Sequence, residues 1–110
     1  MSWNMTKDYV GDGYVYTYDY SLAAAENGEA IFIPPGARDV AVTVTASGGA
    51  KAQATVDDSA AIAAASATYI DWPDGVVTTE TSSILSPAVT AVRLVQTVAG
   101  TSTIKVRAQV

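Results

Sequence analysis

Valine, threonine and alanine alternate along this chain in short runs, and turn residues interrupt those runs every eight to fifteen positions. Gly11-Asp12-Gly13, Asn27-Gly28, Pro34-Pro35-Gly36, Ser47-Gly48-Gly49, Trp72-Pro73-Asp74-Gly75, Ser86-Pro87 and Ala99-Gly100 supply the punctuation. A period of two sends successive side chains to opposite faces of an extended strand, so each run has one apolar and one polar side. Turn signals at this spacing point to a sandwich or barrel. The apolar residues agree: 14 Val and 6 Ile with 13 Thr stand against only 3 Leu. β-Branched side chains lose χ1 freedom in helices and sit well on a pleated surface.

The expected strands cover 14–25, 29–33, 38–46, 50–57, 67–72, 76–82, 89–98 and 102–109, preceded by an N-terminal arm over 1–13. About eight strands in a single domain over 14–110 predict an all-β, antiparallel, jelly-roll-like β-sandwich. Two hairpins are expected. Around Ser47-Gly48-Gly49, Val40, Val42 and Val44 would oppose Val56, Ala54 and Ala52; around Ala99-Gly100-Thr101, Val92 and Leu94 would oppose Ala108 and Val106. A slip of one residue would turn either apolar row into water. The two segments also match each other at an offset of 52, with Pro35 on Pro87, Val40 on Val92 and Gly48 on Gly100; two hairpins obeying the same rules explain this without duplication. Asn27-Gly28 suggests a third hairpin, although it would set Glu26 against Glu29. The exception to strand is Asp57-Asp58-Ser59 before Ala60–Ala65, which reads as a capped helical crossover near residues 58–65 joining the two halves of the sandwich.

Composition narrows the chemistry. There is no Cys and no His, which removes disulfides, thiolate metal sites, the commonest general base and the commonest metal ligand. What is left for catalysis is paired carboxylates, a Ser–Lys pair or a carboxylate metal site, and Asp57/Asp58 and Asp71/Asp74 lie beside turns, where Asp needs no catalytic reason. The expectation is a protein that is not an enzyme and has no cofactor or metal. A net charge of −5 argues against nonspecific nucleic-acid binding. No run is long enough to cross a membrane and no secretory pattern opens the chain, so a protein made in the cytoplasm is expected.

Two features stand out as contact candidates. Tyr14, Tyr16, Tyr18 and Tyr20 share one face of a strand, either as a core wall or as an adhesive stripe. After Glu80 the chain has no acid, and the expected final hairpin places Arg93 opposite Arg107 with Lys105 on the same side. That cluster would either guard an edge or dock an acidic partner. Trp72 is expected to plug one end of the core.

The run Ile31-Phe32-Ile33-Pro34-Pro35-Gly36-Ala37-Arg38-Asp39-Val40 resembles segments of small structural proteins of tailed-phage virions. Ile70-Asp71-Trp72-Pro73-Asp74-Gly75-Val76, Val89-Thr90-Ala91-Val92-Arg93-Leu94, Ala99-Gly100-Thr101 and Ile104-Lys105-Val106-Arg107 share the resemblance, which spans about residues 28–110. The family so resembled is the jelly-roll capsid decoration (cement or staple) proteins. The resemblance implies a homo-oligomer, dimer or trimer, on the outer capsid surface of the virion, with the major capsid protein as partner. It brings no catalytic residues. The alternative is a tail, baseplate or receptor-binding module that grips a host glycan.

Overall fold

The computed structural model describes residues 3–11, 13–85 and 89–110. Its strands are β1 Asn4–Val10, β2 Gly13–Leu22, β3 Ile31–Phe32, β4 Asp39–Ala46, β5 Ala50–Thr55, β6 Ile70–Asp71, β7 Thr81–Leu85, β8 Ala91–Gln96 and β9 Ser102–Gln109; the helix α1 is Ser59–Ala63. They form two antiparallel sheets, ordered β1-β2-β9-β4-β7 and β3-β8-β5-β6. The partners nest: β2 pairs with β9, β3 with β8, β4 with β7 and β5 with β6. The chain is thus one long hairpin with α1 near its tip, rolled so that successive rungs join alternate sheets. That is the jelly roll, and the expected all-β sandwich is what the chain forms.

Period-two patterning decides what lies between the layers. Val40, Val42 and Val44 on β4 and Ile104, Val106 and Ala108 on β9 are all fully buried, facing Ala52, Val92 and Leu94 of the other sheet. Trp72 is 3% exposed and joins this cluster, with its indole N–H donating to Gly75 O at 2.6 Å. It plugs the core as expected, and the Trp72–Gly75 turn closes through Gly75 N–H to Trp72 O at 3.2 Å.

Both expected hairpins are corrected. β4 and β5 lie in different sheets, as do β8 and β9, so the turns at 47–49 and 99–101 carry the chain across the sandwich. Val40, Val42 and Val44 do face inward toward alanines, but through the core and not along a ladder; Val56 is 73% exposed. The two crossings meet. Ser47 N–H donates to Thr101 O at 2.9 Å, Thr101 N–H to Ser47 Oγ at 3.0 Å, and Thr97 N–H to Gly49 O at 2.9 Å. A Cβ on Gly48 would lie 2.5 Å from Ala99 O, so glycine is required where the turns touch. Beneath them Gln96, 3% exposed, donates to Val98 O and Gly100 O and accepts from Ser102 Oγ. The offset of 52 therefore links two crossings with the same geometric task. Its match of Pro35 to Pro87, and the Ser86-Pro87 turn, lie outside the described residues, as does Asp12 of the first turn.

Other boundaries differ in instructive ways. β2 stops at Leu22, and Asn27-Gly28 makes no hairpin. Asn27 bridges Val95, and Gly28 N–H donates to Leu94 O at 2.6 Å, so the segment runs beside β8. A Cβ on Gly28 would sit 2.7 Å from the Tyr20 ring and 2.8 Å from Leu94 O; close approach, not turn geometry, asks for glycine here. The strand expected over 76–82 is displaced to Thr81–Leu85. α1 forms where expected, capped by Asp58 Oδ1 accepting from Ala61 N–H at 2.8 Å. It connects β5 and β6 of one sheet, however, and not the two halves of the sandwich. Within the expected N-terminal arm, Asn4–Val10 form a full strand, β1, zipped to β2 from Asn4↔Asp19 to Val10↔Gly13.

Candidate functional site

β1, the outermost strand of the five-stranded sheet, is exposed over residues 4–9, and the burial of the β2 tyrosines falls toward the start of that strand. This cuts the tyrosine stripe in two. Tyr18 and Tyr20, opposite Val106 and Ile104 in the ladder, are 5% and 8% exposed and belong to the core. Tyr14 and Tyr16 are only half-buried. Trp3 marks the border: its ring meets Tyr18 edge-on at 5.2 Å, and its N–H donates to Ala30 O at 3.2 Å. Burial, and secondarily the neighbouring Tyr16, raises the pKa of the Tyr18 hydroxyl.

Beyond that border lies an aromatic surface. On β1, Met5, Lys7 and Tyr9 oppose Tyr18, Tyr16 and Tyr14 on the same sheet face. The Lys7 ammonium stands 4.2 Å from the Tyr14 ring centre, 5.5 Å from Tyr16 and 5.9 Å from Tyr9. Tyr9 meets Tyr14 edge-on at 4.7 Å. Three rings thus share one cation, a favourable arrangement of about 0.5–1 kcal/mol per exposed pair. Met5 and Tyr9 remain 49% and 77% exposed. This surface offers rigid aromatic area of the kind enriched where proteins grip partners, with a lysine ammonium set among the rings. Its β1 members were missed at the sequence level. The signal was present: Met5, Lys7 and Tyr9 alternate at the right distance from Gly11 and Gly13 for a hairpin onto the tyrosines.

The expected basic cluster is not assembled. Arg93 lies on the outside of the four-stranded sheet, while Lys105 and Arg107 lie on the outside of the five-stranded one, with the whole sandwich between them. The cause is the same as for the hairpins, since β8 and β9 cross between sheets. Arg93 stacks 3.8 Å over the Tyr69 ring and donates from Nε to Gln53 Oε1 at 2.9 Å. Gln53 in turn donates to Asp71 at 2.8 Å, and Lys51 pairs with the same carboxylate at 3.0 Å. The Gln53 amide first, then Lys51, holds the Asp71 carboxyl below its usual range. Burial raises the Tyr69 hydroxyl pKa, partly offset by Arg93. Lys105 approaches Asp19 at 3.8 Å, and Arg107 sits between Thr17 and Ala41.

The surrounding surface is shallow. Asp19, Thr43, Glu80, Ser82 and Lys105 line a polar depression of about 360 Å³ on the five-stranded sheet. Val56, Ile70, Trp72, Pro73 and Leu85 line an apolar notch of about 320 Å³ at the sandwich edge. Among the described residues no group of three or more acids could hold a metal ion. Three of the four aspartates weighed as acid pairs have structural work: Asp58 caps α1, Asp57 accepts from Thr68 N–H at 2.6 Å, and Asp71 closes the outer network. Among the described residues no helix is long and apolar enough to cross a membrane.

No protein-family model matches the chain, and no curated protein is significantly similar to it. The surface itself must carry the functional reading.

Proposed function

We propose that this protein is a structural virion component, a decoration protein that binds the outside of a phage capsid and staples neighbouring major capsid protein subunits, acting as a homo-oligomer. The observation that carries the reading is the split of the tyrosine stripe. Tyr18 and Tyr20 anchor the stripe in the core, while the half-buried Tyr14 and Tyr16, with the exposed Lys7 and Tyr9, continue it as a preordered contact surface. Side chains already fixed by ring–ring and cation–π contacts lose little entropy on docking. The jelly roll adds support: two sheets locked by crossings at one end make a stiff body suited to bearing load. Thr17, Thr43, Thr45, Ser82 and Thr103 give the outer sheet a hydroxyl-rich face that suits wet, repeated contacts on a lattice.

The same tyrosines keep a second reading in play, a module that stacks on host glycan rings. Trp72 gives that reading no help, being almost wholly buried. Co-sedimentation with purified, DNA-filled heads tests the choice. The wild type is expected to bind and Tyr14→Ala/Tyr16→Ala to bind at least tenfold less. Retained binding to host polysaccharide with none to heads would overturn the capsid reading.

A further inference from the structure

β1 is held on one side only. Among the described residues it is the longest strand with an unpaired edge; β7, β3 and β6, at the other sheet margins, have five, two and two residues. Residues 4–9 are exposed on both faces. The ladder alternation shows which backbone groups are free. Tyr14 exchanges both hydrogen bonds with Val110, at 3.1 and 2.8 Å, so even-numbered residues of β2 turn toward β9 and odd-numbered ones toward β1. Their opposites Asn4, Thr6 and Asp8 are thereby used, and Met5, Lys7 and Tyr9 direct N–H and C=O outward. Proteins usually guard such an edge with proline, a bulge or a charge standing off it. β1 has no proline, and its one lysine is drawn over Tyr14.

We infer that this edge pairs antiparallel with the same edge of a second copy of the chain, about a two-fold axis at Thr6. An axis normal to the sheet keeps like faces together, so opposed residues must be both odd or both even. An axis at Lys7 would set ammonium against ammonium, and one at Asp8 carboxylate against carboxylate. An axis at Met5 sets Asp8 and Tyr9 against positions 2 and 1, outside the described residues, so fewer described residues oppose one another. The axis at Thr6 opposes Met5 to Lys7, Asn4 to Asp8 and Trp3 to Tyr9 of the second copy, with threonine facing threonine at the centre. The outward groups of Met5 and Lys7 then complete a ten-stranded sheet, and the two Lys7–tyrosine clusters lie side by side on one face. The pairing rests on the homo-oligomer part of the proposed function and is independent of capsid binding.

The chain has no cysteine, so single cysteines report the register directly. At Thr6 the pair is non-hydrogen-bonded, with Cα atoms about 4.5 Å apart, inside the range a disulfide spans. At Asp8 they would be about 14 Å apart. Under mild oxidation, Thr6→Cys is expected to become a covalent dimer and Asp8→Cys to stay monomeric. By light scattering the wild type should run at twice 11.3 kDa. Met5→Pro, which removes only an outward N–H and spares the β1–β2 ladder, should run at 11.3 kDa with an unchanged far-ultraviolet spectrum. If Met5→Pro misfolds, the two cysteine variants still decide. A monomeric wild type at high concentration, or cross-linking of Asp8→Cys as fast as Thr6→Cys, would overturn the pairing. Loss of head binding with the dimer intact would count against the capsid reading alone.

Discussion

Gln96 is the polar pin under the two chain crossings, and replacing it with leucine tests whether those crossings hold the sandwich shut. The amide is 3% exposed and makes three bonds: Nε2 to Val98 O at 3.0 Å and to Gly100 O at 2.6 Å, and Oε1 from Ser102 Oγ at 2.6 Å. Leucine fills nearly the same volume, so the cavity contribution is small. The Val98 and Gly100 carbonyls belong to a surface turn and can turn to water, at about 0.5–1 kcal/mol each. Ser102, itself 3% exposed, keeps a buried hydroxyl with no acceptor, which costs about 1–3 kcal/mol. The expected loss is about 3 kcal/mol. For a domain of this size that lowers Tm by about 15 °C. Urea unfolding measured for Gln96→Leu, Ser102→Ala and the double variant separates the terms. The double variant should be more stable than the sum of the single losses by at least about 1 kcal/mol, because it removes the orphaned hydroxyl with its partner. A loss under about 1 kcal/mol for Gln96→Leu, or strictly additive losses, would refute the pinning role.

The tyrosine stripe should divide experimentally as it does spatially. Tyr18→Ala is expected to cost about 3 kcal/mol in urea unfolding and Tyr14→Ala under about 1 kcal/mol; equal costs would contradict that division. Gly48→Ala forces a methyl group toward the Ala99 carbonyl and should lose about 1–3 kcal/mol by the same assay, where an unchanged midpoint would deny the contact between the crossings. The lowered Asp71 pKa means that its network favours the fold above the unfolded-state value, and that this contribution disappears as pH falls through the folded-state one. Gln53→Ala should raise the Asp71 titration midpoint followed by carboxyl carbon NMR, and no movement would show that the Gln53 hydrogen bond is not its main cause.

The candidate site was half legible. The tyrosine stripe was visible as four residues at even spacing, but its division into core and surface depends on what packs against each ring, which no local pattern encodes. The basic cluster was inferred from a hairpin that does not exist. An apolar row on Val92 and Leu94 beside one on Val106 and Ala108 is equally well buried whether the two strands are ladder neighbours or face each other through the core. Alternation reports which face turns inward and is silent about which strand lies alongside. The three-residue turns did not discriminate either, since the Ser47 and Thr101 backbones bond to each other's turn and no backbone–backbone bond closes either loop on itself.

By itself, then, the order of residues determined that the chain is extended and antiparallel, that Val40, Val42, Val44, Val92 and Val106 turn inward, and that α1 is capped at Asp58. Those properties rest on local sterics and on a two-residue period, both written within a few positions of each side chain. Only the tertiary structure decided that the strands nest as a rolled hairpin, that Arg93 lies a sandwich's thickness away from Arg107, and that β1 carries Lys7 over the tyrosines at an open edge. Those outcomes depend on pairings between residues as distant as Tyr14 and Val110, where the decisive quantity is the fit of whole layers and not the character of any one segment.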